Sequence, residues 1–309
     1  MVPEWRFAFY AACLGLSFLF LCARRWSGSS VGSNLVVQVE PEAFPLFPWK
    51  KKRVADLYPG QLANGREVVV RCLRSSPSPL RIRQFLDAQH RLQNRFAPVL
   101  VIIGVSSCFP PTRSLVTPYH GVDIMQYLEG HTLNRRQRLR LIVQMAEGVA
   151  YCHKLHLTHG DIRGSHVLVN DLGVVKLIAM QFHLLLYRDA YNPPSYIWEW
   201  TAPELLPGQI DDDEAEVAPT FASDVYSWAM TLLQIWTGRK PFAEFHIKNL
   251  VTFLIRLKQN PSIVLDLAQP DDMLVGLWHI FRDCSDTNAA SRPTMEVVLA
   301  RLAAVERQL

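Results

Sequence analysis

Six cysteines in 309 residues form no C-x-x-C pair. The chain therefore offers neither a disulfide framework nor a zinc module, and its cysteine usage suits a reducing compartment. Net charge is also small: 32 basic against 28 acidic residues leave +4, too little to mark a nucleic-acid-binding surface. His159, Asp161 and His166 lie close together, but no fourth residue has the spacing that a metal site requires. Apolar residues, by contrast, are abundant. They make up 49% of the chain, enough for a large core, and the length fits one domain of about 250 residues plus an extension.

The extension is the N-terminus. Residues 7–23 form an unbroken apolar run, FAFYAACLGLSFLFLCA, at the lower limit of the roughly 17 to 25 residues that span a bilayer. A cleaved signal peptide is the competing reading, but Glu4 weakens its basic leader and no small-x-small cleavage site follows cleanly. Residues 1–26 are expected to be a membrane anchor. Arg24, Arg25 and the run Lys50-Lys51-Lys52-Arg53 follow it and favour keeping the C-terminal side in the cytoplasm. Residues 27–48, rich in Ser and Gly and then punctuated by Pro41, Pro45 and Pro48, read as a linker.

Beyond the linker the pattern is strand-rich, then helical. Residues 54–73 predict two strands joined by a turn at Asn64-Gly65. A helix is expected over 80–93, and strands over 99–105 and 114–117. A long amphipathic helix is expected over 139–153 and a strand over 174–178. Residues 222–237 are apolar on nearly every side, as in a buried helix, with Ser223 suited to its cap and Gly238 to its stop. Helical spacing returns over 274–284 and 295–309.

Between the amphipathic helix and the strand at 174–178 lies Thr158-His159-Gly160-Asp161-Ile162-Arg163-Gly164-Ser165-His166-Val167-Leu168-Val169-Asn170. This stretch resembles the protein-kinase catalytic loop, H-R-D-L-x-x-x-N followed by a short strand. Ala202-Pro203-Glu204, the string 223–228 (Ser-Asp-Val-Tyr-Ser-Trp) and Ser291-Arg292-Pro293 follow in the family's order and spacing. The resemblance covers residues 54–309 and is similar to the tyrosine-kinase-like branch. It implies an α+β, bilobal domain over residues 49–309, with a small β-rich N-lobe (49–118) and a large helical C-lobe (119–309). It also implies structural roles for His159, Ala202, Pro203, Glu204, Asp224 and Arg292. Asp224 would brace the catalytic loop, and Glu204 would pair with Arg292.

The same register exposes the departures. Asp161 keeps the position of the base, but Gly160 replaces Arg. His166 stands where the family has a magnesium-binding Asn, and Ala179 where it has the magnesium-binding Asp. Arg71 occupies the place of the ATP-gripping Lys, Asp87 that of the Glu that pairs with it, and no G-x-G-x-x-G precedes Arg71. The resemblance implies ATP as the ligand, while the two replaced positions leave magnesium without its usual holders. These features predict a membrane-anchored pseudokinase that partners an active kinase or receptor. Two alternatives stand beside it: a weakly active Ser/Thr or Tyr kinase, with a soft metal on His166 or with Asp171 as a substitute carboxylate, and a secreted ligand-binding protein of the same fold.

Overall fold

In the structure, a computed structural model, the described residues are 50–51, 55–73, 79–90, 92, 97–106, 114–178, 197–206, 218–260 and 263–309. All belong to one compact unit, Asn34–Leu309. The apolar run 7–23, the linker, Lys52, Arg53 and Ala179 lie outside the described residues. No helix among those described is long and apolar enough to cross a membrane.

The N-lobe is a five-stranded antiparallel sheet with one helix. Its strands are β1 (Lys50–Lys51), β2 (Ala55–Gln61), β3 (Glu67–Leu73), β4 (Gly104–Ser106) and β5 (Ser114–Pro118), in the order β1-β2-β3-β5-β4. The Asn-Gly turn forms as the sequence predicts. Gly65 takes φ +79°, a conformation that only glycine adopts freely, and the Asn64 side chain accepts from the Arg66 amide. Lys51 pairs with Asp56, and only residues 52–54 lie between β1 and β2 in the sequence, none of them glycine.

Helix α1 (Pro79–His90) covers one face of the sheet with Ile82, Phe85 and Leu86, which pack with Leu73, Leu115 and Ile178. Leu80, in the first turn of α1, is exposed. The strand expected over 99–105 is mostly irregular backbone. Leu100 donates its amide to Leu177 O (2.6 Å) and Ile103 to Val116 O (2.8 Å), so this apolar stretch bridges both lobes and only its last residues join the sheet as β4.

The C-lobe follows the hinge at 118–121. It comprises β6 (Val122–Asp123), α2 (Ile124–Gly130), α3 (Arg135–Lys154), β7 (Val167–Val169), β8 (Val175–Leu177), α4 (Phe221–Thr237), α5 (Leu250–Gln259), α6 (Val275–Cys284) and α7 (Met295–Glu306). Strands β6, β7 and β8 form a small antiparallel sheet. Helix α3 packs against α4, α7 and β8, around a core in which Trp228, Trp236 and Tyr226 are fully buried.

The cap of α4 differs from expectation. Thr220, not Ser223, is the N-cap, and Ser223 closes a reciprocal capping box from the third helical position. Gly238 ends the helix in the left-handed conformation.

Glu204 and Arg292 form a two-point ion pair, Nη1–Oε1 2.7 Å and Nη2–Oε2 2.8 Å. The guanidinium also donates to Asp286 O, Ala222 O and Thr287 O and lies over the Tyr226 ring. Its side chain is 0% exposed. Arg292→Ala would leave these acceptors unpaired and destabilise by about 3–5 kcal/mol. Arg292→Lys should recover only part of this, since an ammonium cannot make the parallel pair of bonds. Thermal denaturation of the two variants measures both effects.

Candidate nucleotide cleft and catalytic loop

The loop between α3 and β7 is held from below by Asp224, on the first turn of α4. Asp224 is 1% exposed. Its Oδ2 accepts from the His159 amide (2.6 Å) and lies 3.1 Å from His153 Nε2, and its Oδ1 accepts from the Gly160 amide (2.8 Å). Gly160 sits at φ +77°, so glycine relieves the strain a side chain would meet at the turn. His159 is fully buried and accepts from the Asp161 amide through Nδ1 (3.2 Å). Its proton therefore rests on Nε2, which is directed at the Ile178 backbone without forming a well-aligned hydrogen bond. Burial holds its pKa low despite the nearby carboxylates of Asp224 and Asp161.

A second support comes from Gln234 on α4. Its Oε1 accepts from the Gly164 amide (3.2 Å) and from Trp200 Nε1 (3.1 Å). A Cβ on Gly164 would lie 2.8 Å from that oxygen, so a larger residue there would push the Gln234 amide aside and disturb both of its bonds. Gln144 on α3 plays a matching part for the following hairpin, bonding the Val175 amide and Gly173 O, both at 3.0 Å. Sequence reasoning missed both glutamines. Their only signal was a polar residue set into an apolar helical surface.

The reacting end of the loop is closed on itself. Arg163 donates to Asp161 through Nε (to Oδ1, 2.7 Å) and Nη2 (to Oδ2, 3.3 Å). His166 Nδ1 is 2.9 Å from the Asp161 carbonyl oxygen and 3.3 Å from Oδ2. Neither oxygen can donate, so Nδ1 carries the proton and Nε2 the lone pair. That lone pair faces Arg163 Nη2 at 3.1 Å and accepts from it. Burial and Arg163 together hold His166 at a pKa of about 3, so the ring stays neutral. Burial would raise the Asp161 pKa, but Arg163 and His166 outweigh it and hold the carboxylate below its ordinary range.

This arrangement does not fit a magnesium ion or a soft metal at His166. The one lone pair of the ring is engaged by a guanidinium, and a cation in its place would displace Arg163. Asp171, the substitute carboxylate considered above, is exposed at the β7–β8 turn, where Asn170 shapes the backbone by accepting from the Leu172 and Val174 amides. Ile178 donates to His166 O (2.9 Å), and Ala179, the next residue, lies outside the described residues.

Arg71 stands on β3 opposite Leu115, on the face where Leu73 and Leu115 pack toward α1 and Ile178. Its Nε is buried without a hydrogen-bond partner, and burial lowers its pKa to about 10. The Arg71–Asp87 pair considered from the sequence is not formed. Asp87 is exposed on α1, because Ile82, Phe85, Leu86 and Gln89 take the inward face and the Gln89 side chain accepts from the Ile102 amide. Arg71 thus has no carboxylate partner among the described residues.

With this geometry in hand, the chain's kinship is plain. Residues 53–302 match the family described as protein tyrosine and serine/threonine kinase, and the chain belongs to that family, whose domain implies the use of ATP. It is 26% identical over 265 residues to a probable serine/threonine-protein kinase of Dictyostelium discoideum, covering 81% of this chain and 15% of that protein. It is 29% identical to mitogen-activated protein kinase kinase kinase 5 of Arabidopsis thaliana, over 58% of this chain and 24% of that protein. To the tyrosine-protein kinase SRK2 of Spongilla lacustris it is 25% identical, over 80% of this chain and 66% of that one. The chain thus spans under a quarter of the length of the first two relatives.

The depressed pKa values of His166, His159 and Asp161 all act in one direction. Below pH 6.5 the unfolded chain protonates its histidines while the folded loop resists, so stability falls as pH drops toward about 3. His166→Asn should flatten this slope between pH 6.5 and 4. Chemical denaturation across that range checks it.

Proposed function

We propose that this protein is a catalytically impaired, membrane-anchored member of the kinase family that acts as a signalling scaffold or as an allosteric partner of an active kinase or receptor. The observation that carries the reading is the closed Asp161–Arg163–His166 cluster. Phosphoryl transfer depends on positioning and on charge stabilisation by bound metal. Here the residue in one metal-binding position bonds a guanidinium, the other position is Ala179, and the candidate base is already ion-paired. A single arginine contact to the transferring group is worth about 10³ to 10⁵ in rate, and losing both metal holders removes at least as much. The scaffold is nonetheless kept: Asp224 and the Glu204–Arg292 pair preserve the shape of a C-lobe that a partner can recognise.

Membrane anchoring rests on the apolar run at 7–23 and the basic residues that follow it. That two relatives carry the word receptor in their names supports it. The serine/threonine and tyrosine kinases among the relatives leave either hydroxyl open as the substrate of the second reading, a weakly active enzyme. The tyrosine-kinase-like branch rests on the C-lobe strings quoted from the sequence.

Purified chain should transfer no phosphate to itself or to generic acceptor proteins with magnesium or manganese. Turnover that Asp161→Asn abolishes would sink the impaired-enzyme reading. In cells the chain should resist carbonate extraction, and an engineered Asn-x-Ser site within residues 30–48 should remain unglycosylated. A glycosylated site would place the domain in the lumen and favour the secreted alternative.

A further inference from the structure

Beside the hinge lies a cavity of about 480 Å³ whose lining includes neither Arg71 nor any residue of the catalytic loop. Its volume falls within the roughly 300–1,000 Å³ of small-molecule sites. Both lobes contribute to it. Half-exposed Val101 and Ile103 form an apolar wall, Tyr119 and His120 form the hinge side, Arg66 enters from the β2–β3 turn and Lys176 from β8. Hydrogen bonds on either side of the hinge hold this arrangement. The Tyr119 amide donates to Glu67 O (3.1 Å), and His120 Nε2 donates to Val174 O (3.0 Å). Burial keeps the His120 pKa low, so its ring adds no charge. The two cations are unbalanced. No carboxylate lines the cavity, and among the described residues neither Arg66 nor Lys176 forms an ion pair. Burial lowers the Lys176 pKa, and the charge of Arg66 lowers it further. The two side chains therefore repel each other.

We infer that this cavity binds a small anionic amphiphile, a carboxylate or phosphate ester carried on an apolar body, with its head group between Arg66 and Lys176 and its body against Val101 and Ile103. Each part has its reason. Two cations that repel each other gain from an anion placed between them. Guanidinium and ammonium both pair with either head group, the guanidinium through two parallel bonds. An apolar body that covers the Val101–Ile103 wall removes apolar surface from water. No serine, threonine or side-chain amide lines the cavity, so a polyhydroxylated body would find few side-chain partners. Arg66 belongs to the N-lobe sheet and Lys176 to the C-lobe, so a bound head group bridges the lobes and couples occupancy to the hinge. The inference does not depend on whether the chain transfers phosphate.

The test is calorimetric titration of the purified full chain in non-ionic detergent micelles, with the heat of transfer into empty micelles subtracted. The probes are octanoate, octyl phosphate, octanol and acetate. The amphiphilic acids should bind saturably, and octanol and acetate more weakly by about tenfold or more. The ratio of affinities for octanoate and octyl phosphate tells which head group the site prefers. Arg66→Gln and Lys176→Gln should each weaken binding of the acids by roughly tenfold, the loss of one charge-assisted contact, and leave octanol unmoved. Val101→Trp, which fills the cavity and keeps both cations, should weaken octanoate as well. If that variant misfolds, the two charge variants carry the test, since both side chains reach solvent. Without ligand the charge variants should melt no lower than the parent, because a repulsion is relieved, and octanoate should raise the parent's melting temperature more than theirs. Octanol binding as tightly as octanoate, affinity for the acids unchanged in either charge variant, or no saturable binding of either acid would overturn the inference. Phosphate transfer by the chain would overturn the functional reading above and leave this one standing.

Discussion

The Asp224 carboxylate is withdrawn from water, and the donors it receives come from the catalytic loop and the helix before it: the amides of His159 and Gly160 and the imidazole of His153. A buried carboxylate left unsatisfied is costly, so the loop backbone must stay where its amides meet those oxygens. Everything at the site inherits that position. The turn at Gly160 aims Asp161, the following residues carry Arg163 and His166 into place, and Gln234 fixes Gly164 from the same helix. The precision of the loop is thus a property of helix α4 and survives whatever happens to the chemistry above it.

The fold can therefore hold its shape independently of the groups that would carry its chemistry. The interactions that specify the C-lobe, at Asp224, Gln234, Glu204 and Arg292, are separate from those that would hold metal. At position 166, where the family has Asn, the imidazole Nδ1 donates to the Asp161 carbonyl oxygen and so ties the loop to itself.

The C-lobe was legible in the sequence because its signals are local strings with fixed spacing: H-x-D, A-P-E, the apolar helix with its acidic first turn, and S-R-P. The N-lobe was less so. Residues 99–103 are as apolar as a strand, yet they serve as a bridge between lobes, a tertiary role that periodicity does not encode. Asp87 aligned with a pairing residue, but the rotation of α1 is set by Phe85 and Leu86 seeking the core, and this turns Asp87 outward. The Arg163–His166 contact was hidden for another reason. It depends on which imidazole nitrogen carries the proton, and that follows only from the position of the Asp161 carbonyl.

Asp161, Arg163 and His166 lie within six residues of one another, and none of their mutual contacts comes from the N-lobe sheet. These bonds therefore travel with the loop as one piece, and a change in the angle between the lobes would reshape the outline of the molecule without having to break them.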